Sequence, residues 1–185
     1  MSDLRRLAAL PLAFFAAHAG FHVHAGRPEE VLWTCTMANL LLGVGLLGSI
    51  PTLIASAVAW LILGNALWAV DLCAGGAFYP TSLLTHVGGL AVGASALRVV
   101  EWPRGAWWRA ALLLLALQLA CRGVTPRAAN VNLAFDLYPG MGAFFPSYAW
   151  YWASLVLMCC AIFGCAERWF RRGARARSLD GGMAP

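Results

Sequence analysis

Two side chains set in apolar sequence have the chemistry of a nucleophile and a base. Cys35 lies in Leu32-Trp33-Thr34-Cys35-Thr36-Met37-Ala38-Asn39, and His86 in Leu84-Thr85-His86-Val87-Gly88. The thiolate, not the thiol, is the attacking form of cysteine, and an imidazole at the same depth can take its proton. Cys35 is expected about one turn into its helix, at the depth where His86 enters its own. Asn39, one turn deeper, and Asn132 carry amide groups that can stabilise an oxyanion. Arg122 can hold a phosphate or pair with Asp71. The chemistry this set suits is acyl transfer through a thioester.

His18 and His22 form a second group, with His24 just beyond. Their i, i+4 spacing suits a metal ion or one face of a haem. Two histidines on one helix do not complete such a site, and no acidic residue stands at motif spacing from them. The expectation is therefore no cofactor, with haem or metal on His18 and His22 as the alternative. Cys73, Cys121, Cys159, Cys160 and Cys165 contain no C-x-x-C pair and read as small hydrophobes.

These residues sit in a chain that must meet lipid. Of 185 residues, 61% are hydrophobic and 11% charged, against roughly 45–50% and about 25% in soluble domains. All 13 basic residues are arginine; without lysine there is no Schiff-base chemistry and no lysine-centred phosphate loop. A spanning helix needs roughly 20 mainly apolar residues, and six runs qualify: Leu7–Phe21, Val31–Gly48, Pro51–Val70, Thr81–Val100, Trp107–Cys121 and Ser147–Phe170. The expected fold is all-α, a polytopic membrane protein whose residues 1–170 form one compact bundle of about six helices. A basic, disordered cytoplasmic tail is expected over 171–185. The first run also imitates a signal peptide, through Arg5-Arg6 and Ala17-His18-Ala19; it is expected to be retained.

Arginine placement sets the orientation. Arg5, Arg6, Arg98, Arg104, Arg109, Arg168, Arg171, Arg172, Arg175 and Arg177 fall at one set of helix ends, and only Arg27, Arg122 and Arg127 at the other. The positive-inside rule then puts both termini in the cytoplasm. The basic character, with a pI near 9.1, is thereby assigned to topology and lipid head groups rather than nucleic acid. Polar residues gather at the opposite depth: His18, His22, Cys35, Asn39, Asn65, Asp71, Ser82, Thr85, His86, Gln118, Arg122, Ser147, Tyr148 and Tyr151. If these faces converge they form one polar pocket open to the outer leaflet. Gly89 and Gly93 make a GxxxG beside His86, which turns that face toward other helices. In Thr125–Phe135, the alternation of Asn130 and Asn132 suits a re-entrant or capping segment.

Three stretches resemble the YwaF-like integral membrane proteins of bacteria: Leu32–Leu41 with its cysteine, Leu84–Gly88 with its histidine and glycine, and Asn130–Asn132 followed by Pro146-Ser147-Tyr148-Ala149-Trp150-Tyr151-Trp152. The similarity runs from Val31 onward, and the chain departs from it at Thr36, where that family carries an acidic residue. The resemblance implies Cys35 as nucleophile and His86 as its base, by analogy with eukaryotic relatives that are Cys/His phospholipid acyltransferases. It implies a bacterial inner-membrane acyltransferase or lipid-ester hydrolase with membrane lipids as partners. Two rival expectations are a non-catalytic subunit of a larger membrane complex or homo-oligomer, and the histidine-based cofactor binder.

Overall fold

A computed structural model describes the backbone of residues 2–180 and the side chains of residues 4–173. Every extended element among them is helical: α1 (Ser2–Leu7), α2 (Ala9–His24), α3 (Thr34–Gly48), α4 (Pro51–Cys73), α5 (Pro80–Leu83), α6 (Gly89–Ala96), α7 (Ala106–Val124) and α8 (Tyr148–Asp180). A π-turn over Leu84–Gly88 joins α5 to α6. Short 3-10 turns cover Pro28–Leu32, Arg127–Ala129, Val131–Leu133 and Met141–Ala143.

Local chemistry explains most boundaries. Pro11 has no N–H to give Leu7, which accounts for the interruption between α1 and α2 at Ala8; the helical rod otherwise continues. α3 stops where Ser49 turns left-handed (φ 52°) and Ile50 N–H bonds the Gly45 carbonyl at 2.8 Å. Pro51 then starts α4 from the position a helix tolerates best. α3 and α4 are thus an antiparallel hairpin, and Gly45 lets them touch: a Cβ there would stand 3.0 Å from Ile54 N.

α4 is the central rod. Every residue from Ile54 to Leu61 is buried, and Ala55, Ser56, Ala57 and Ala59 are small enough to admit neighbours on all sides. Trp60 fills the space toward α7 and donates its indole N–H to the Ala110 carbonyl at 2.9 Å. Leu42, Leu46 and Phe163 complete the core. Outward-facing positions remain apolar, among them Leu10, Val44, Leu67, Leu112, Leu119 and Leu157; a rim of this kind is compatible with lipid and not with water.

Four helices are long and apolar enough to cross a membrane: Leu4–His24, Pro51–Cys73, Ala106–Val124 and Tyr148–Gly173. The chain is accordingly a helical multi-pass membrane protein. The other two expected runs are shorter than anticipated. α3 has 15 residues, about 22 Å of helix against a hydrocarbon core of about 30 Å. The run from Thr81 is divided by the π-turn and ends at Ala96, short of Val100.

α8 runs from Tyr148 to Asp180, through the basic stretch where alternating Ala and Arg are strong helix formers. Residues 181–185 lie outside the described part. Inside the same helix, Glu167 caps a neighbour: its carboxylate accepts from Gly105 N–H at 3.0 Å and Trp107 N–H at 3.1 Å, at the first turn of α7.

Candidate functional site

The polar residues do collect at one end of the bundle, where α2 ends, α3 starts, α4 ends and α5 starts. They build two interlocked groups. The first is centred on the π-turn. A π-turn leaves a carbonyl without its usual helical partner, and two asparagines reach in from neighbouring helices to serve it. Asn39 of α3 donates to the Thr85 carbonyl at 2.9 Å, and Asn65 of α4 to the His86 carbonyl at 3.1 Å. Each also donates back to its own helix, to Cys35 O at 3.0 Å and Leu61 O at 2.7 Å. Gly89 makes room for Asn39, since a Cβ there would stand 2.5 Å from Asn39 Oδ1. Asn39 is therefore a clamp on the backbone beneath His86.

The π-turn aims His86 at α4. Its ring stacks on Trp68 with centroids 4.6 Å apart and planes 5° from parallel. The side chain is buried, and Nδ1 has no hydrogen-bond partner. Across from it lies Gly64, whose missing side chain leaves a gap. A Cβ at Gly64 would be 4.0 Å from His86 Cε1 and 3.6 Å from Cys35 Cβ. Cys35 Cβ and His86 Cε1, the ring carbon between the two nitrogens, therefore approach the same point, while the sulfur and the ring nitrogens lie more than 4 Å from it. No hydrogen bond joins the two residues in this arrangement.

The second group joins His18 and His22 to two partners that spacing does not single out, Thr81 and Glu30. His18 Nδ1 lies 2.8 Å from Thr81 Oγ1, and His18 Nε2 lies 3.1 Å from His22 Nε2. His22 Nδ1 is 2.9 Å from Glu30 Oε2, and Arg27 stands 3.1 Å from the other oxygen of Glu30. The acidic partner that no motif spacing provided is thus Glu30, brought back by the 3-10 turn at Pro28–Leu32. Both nitrogens of each ring face a neighbour, which leaves no free lone pair for a metal. Among the described residues no cluster of three or more His, Cys, Asp or Glu is placed to hold a metal ion.

Two further expectations are corrected. Arg122 does not pair with Asp71. Its guanidinium donates to the Ala134 carbonyl and, at 2.9 Å, to Tyr148 OH, whereas Asp71 accepts from Tyr138 OH at 2.6 Å. Both residues fasten the connection between α7 and α8. Asn132 is likewise committed. Its oxygen accepts from Thr34 N–H at 2.8 Å and Thr34 Oγ1 at 2.7 Å, and its amide donates to Leu32 O at 2.7 Å and Cys121 Sγ at 3.3 Å. It caps α3 from across the fold, so no amide hydrogen is left for an oxyanion. Asn130 closes its own turn, accepting from Phe135 N–H at 2.9 Å and Asp136 N–H at 3.0 Å. The segment is a cap, as its alternation suggested, and Gln118 holds it from α7 through the Asn132 and Leu133 carbonyls.

The expected open polar pocket is consequently a closed polar end, whose side chains mostly satisfy one another. Two surface depressions lie elsewhere: one beside Arg98, Glu101 and Trp102, the other an apolar groove along α8 at Ile162, Cys165 and Trp169.

Comparison of this chain with protein-family models, with curated proteins and with solved structures finds no match. The residues themselves carry the functional reading. Those that spacing did not single out are Glu30, Thr81 and Gly64. Glu30 had a signal, as half of the acidic pair Glu29-Glu30 directly after the histidine-rich end of α2.

Proposed function

We propose that the protein is a membrane-embedded acyl-transfer enzyme, an acyltransferase or lipid-ester hydrolase, in which Cys35 is the nucleophile and His86 its base. The observation that carries this reading is that Cys35 Cβ and Cε1 of a buried His86, whose Nδ1 has no hydrogen-bond partner, approach the same point at Gly64. His86 takes the Cys35 proton as sulfur attacks a lipid ester carbonyl, and returns it to the departing alcohol. A thioester on Cys35 remains. His86 then accepts a proton from an incoming lipid alcohol or water, whose oxygen displaces the sulfur; the proton returns to Cys35. Trp68 holds the ring plane, while Asn39 and Asn65 hold the backbone that bears it.

The topology that goes with this reading has six membrane segments, both termini in the cytoplasm of a bacterial cell, and the site in the outer half of the inner membrane. It is supported by the separation of the two ends: Glu167, Arg171 and the arginine-rich turns lie at one, the histidine and asparagine groups at the other. Lipids then reach the gap laterally.

The test uses purified protein in vesicles of phosphatidylethanolamine and phosphatidylglycerol containing a phospholipid with a fluorescent acyl chain. Release or transfer of that chain is expected, and Cys35→Ala and His86→Ala should each abolish it while the protein still folds. Undiminished turnover in either variant removes the mechanism.

A further inference from the structure

Four side chains from three elements form a line that the mechanism above leaves unused: Thr81, His18, His22 and Glu30. His18 and His22 are 4% and 3% exposed, whereas the Glu30 side chain is 23% exposed. The line therefore runs from half-buried Thr81 at the start of α5, through two buried histidines, to the partly exposed Glu30. The His22–Glu30 approach is off-line for an N–H donor, so it is a close polar contact rather than a straight hydrogen bond.

Counting protons gives the line a direction. A carboxylate only accepts, so the ring nitrogen beside Glu30 carries a hydrogen. A neutral imidazole has a single N–H, so His22 Nε2 is an acceptor and His18 Nε2 the donor facing it. His18 Nδ1 is left with a lone pair, and the Thr81 hydroxyl donates to it. The opposite order would set a lone pair of His22 against a carboxylate. The charged and titratable groups around the line are few. Arg27 bonds Glu30 and lies 3.4 Å from Tyr79 OH. Glu29 neighbours Glu30 on the 3-10 turn, His24 is exposed at the end of α2, and His86 sits on the π-turn.

We propose that these four residues are a proton exit path. A proton donor beside the start of α5 gives its hydrogen to Thr81 Oγ1. The Thr81 hydrogen passes to His18 Nδ1, the His18 Nε2 hydrogen to His22 Nε2, and the His22 Nδ1 hydrogen to Glu30, which yields it to water. Each transfer breaks one bond to hydrogen and forms one. The donor class is a carboxylic acid generated inside the bundle, such as the fatty acid freed when a lipid ester is hydrolysed, and in that respect the inference rests on the acyl-transfer reading. Thr81 stands in the same helical rod as His86, and Thr85 Oγ1 donates to its carbonyl at 3.1 Å.

The tautomers test the path without any activity. The chain has four histidines, so nitrogen-15 NMR of imidazole-labelled, purified protein is readable, with His18→Gln and His22→Gln for assignment. At neutral pH, His18 should carry hydrogen on Nε2 alone and His22 on Nδ1 alone. A doubly protonated His22, or the reverse pair of tautomers, overturns the path. In the vesicle assay, Glu30→Gln should lower fatty-acid release at least tenfold and change its pH profile, while Glu29→Gln leaves both unchanged. A wild-type pH profile in Glu30→Gln overturns the path, yet leaves the acyl-transfer reading intact if Cys35→Ala is dead. No turnover in the wild type sinks the acyl-transfer reading instead, and the tautomers alone then decide the path.

Discussion

Gly64→Ala separates the site from the fold. The added methyl would lie 3.6 Å from Cys35 Cβ and 4.0 Å from His86 Cε1, both ordinary van der Waals distances, so no neighbour has to move. Alanine inside a helix is favoured over glycine by about 1 kcal/mol, and one buried methyl contributes about 0.8 kcal/mol more. The variant should be at least as stable as the parent, with a gain of about 1–2 kcal/mol. Turnover should move the other way, because the methyl occupies the space through which thiol and imidazole must meet. A misplacement of about 1 Å costs on the order of 100-fold in rate, or about 2.7 kcal/mol of barrier. Thermal unfolding in detergent and acyl release from the fluorescent vesicles measure the two effects on one preparation. Gly164→Ala, inside α8, is the control: nothing lies within 4 Å of a Cβ there, so it should gain only the helix-propensity part, about 1 kcal/mol, and leave turnover at the parent level. A stable Gly64→Ala protein with parental turnover would refute the reasoning, since the reaction would then not cross this gap.

Two more outcomes follow from the clamps at the polar end. Asn39→Ala removes the bonds to Cys35 O and Thr85 O and should cost about 1–3 kcal/mol; combined with Asn65→Ala the losses should be non-additive by 0.5 kcal/mol or more, roughly the coupling seen between residues in one network, read by thermal unfolding of all three variants. The Tyr138 phenol donates to Asp71, and that hydrogen bond raises its pKa above the ordinary tyrosine value. A group whose folded pKa is raised keeps its contribution below the unfolded value, about 10, and loses it as pH climbs through the raised one. The connection between α7 and α8 should hold at neutral pH and loosen only in strong alkali, and Tyr138→Phe should remove one late step of the ultraviolet titration.

How much could be read beforehand differs between the two polar groups. The depth of Cys35 and His86 followed from where apolar runs begin, and the Gly89–Gly93 spacing correctly turned His86 toward its neighbours, where Gly93 meets Val58. The partners of Asp71, Arg122 and Asn132 did not follow. Each is a long or amide-bearing side chain that can satisfy itself on any backbone group within reach, and the nearest ones came from a connection whose 3-10 turns have no hydrophobic period to betray them. Asn132 could adopt its cap only with a left-handed backbone (φ 55°), a conformation asparagine tolerates and sequence does not announce.

What the amino-acid order determined alone is that this chain lives in lipid, as helices, with most of its cations at one end and its scarce polar groups at the other. Those properties depend on composition and run length, because an unpaired peptide group in hydrocarbon leaves the helix as the only local solution. Tertiary structure decided which polar group meets which. These helices are apolar on nearly every side, so hydropathy leaves their rotation open, and packing of small residues around α4 sets it. The π-turn that aims His86 into the gap at Gly64, and the turn that returns Glu30 to His22, exist only once that rotation is fixed.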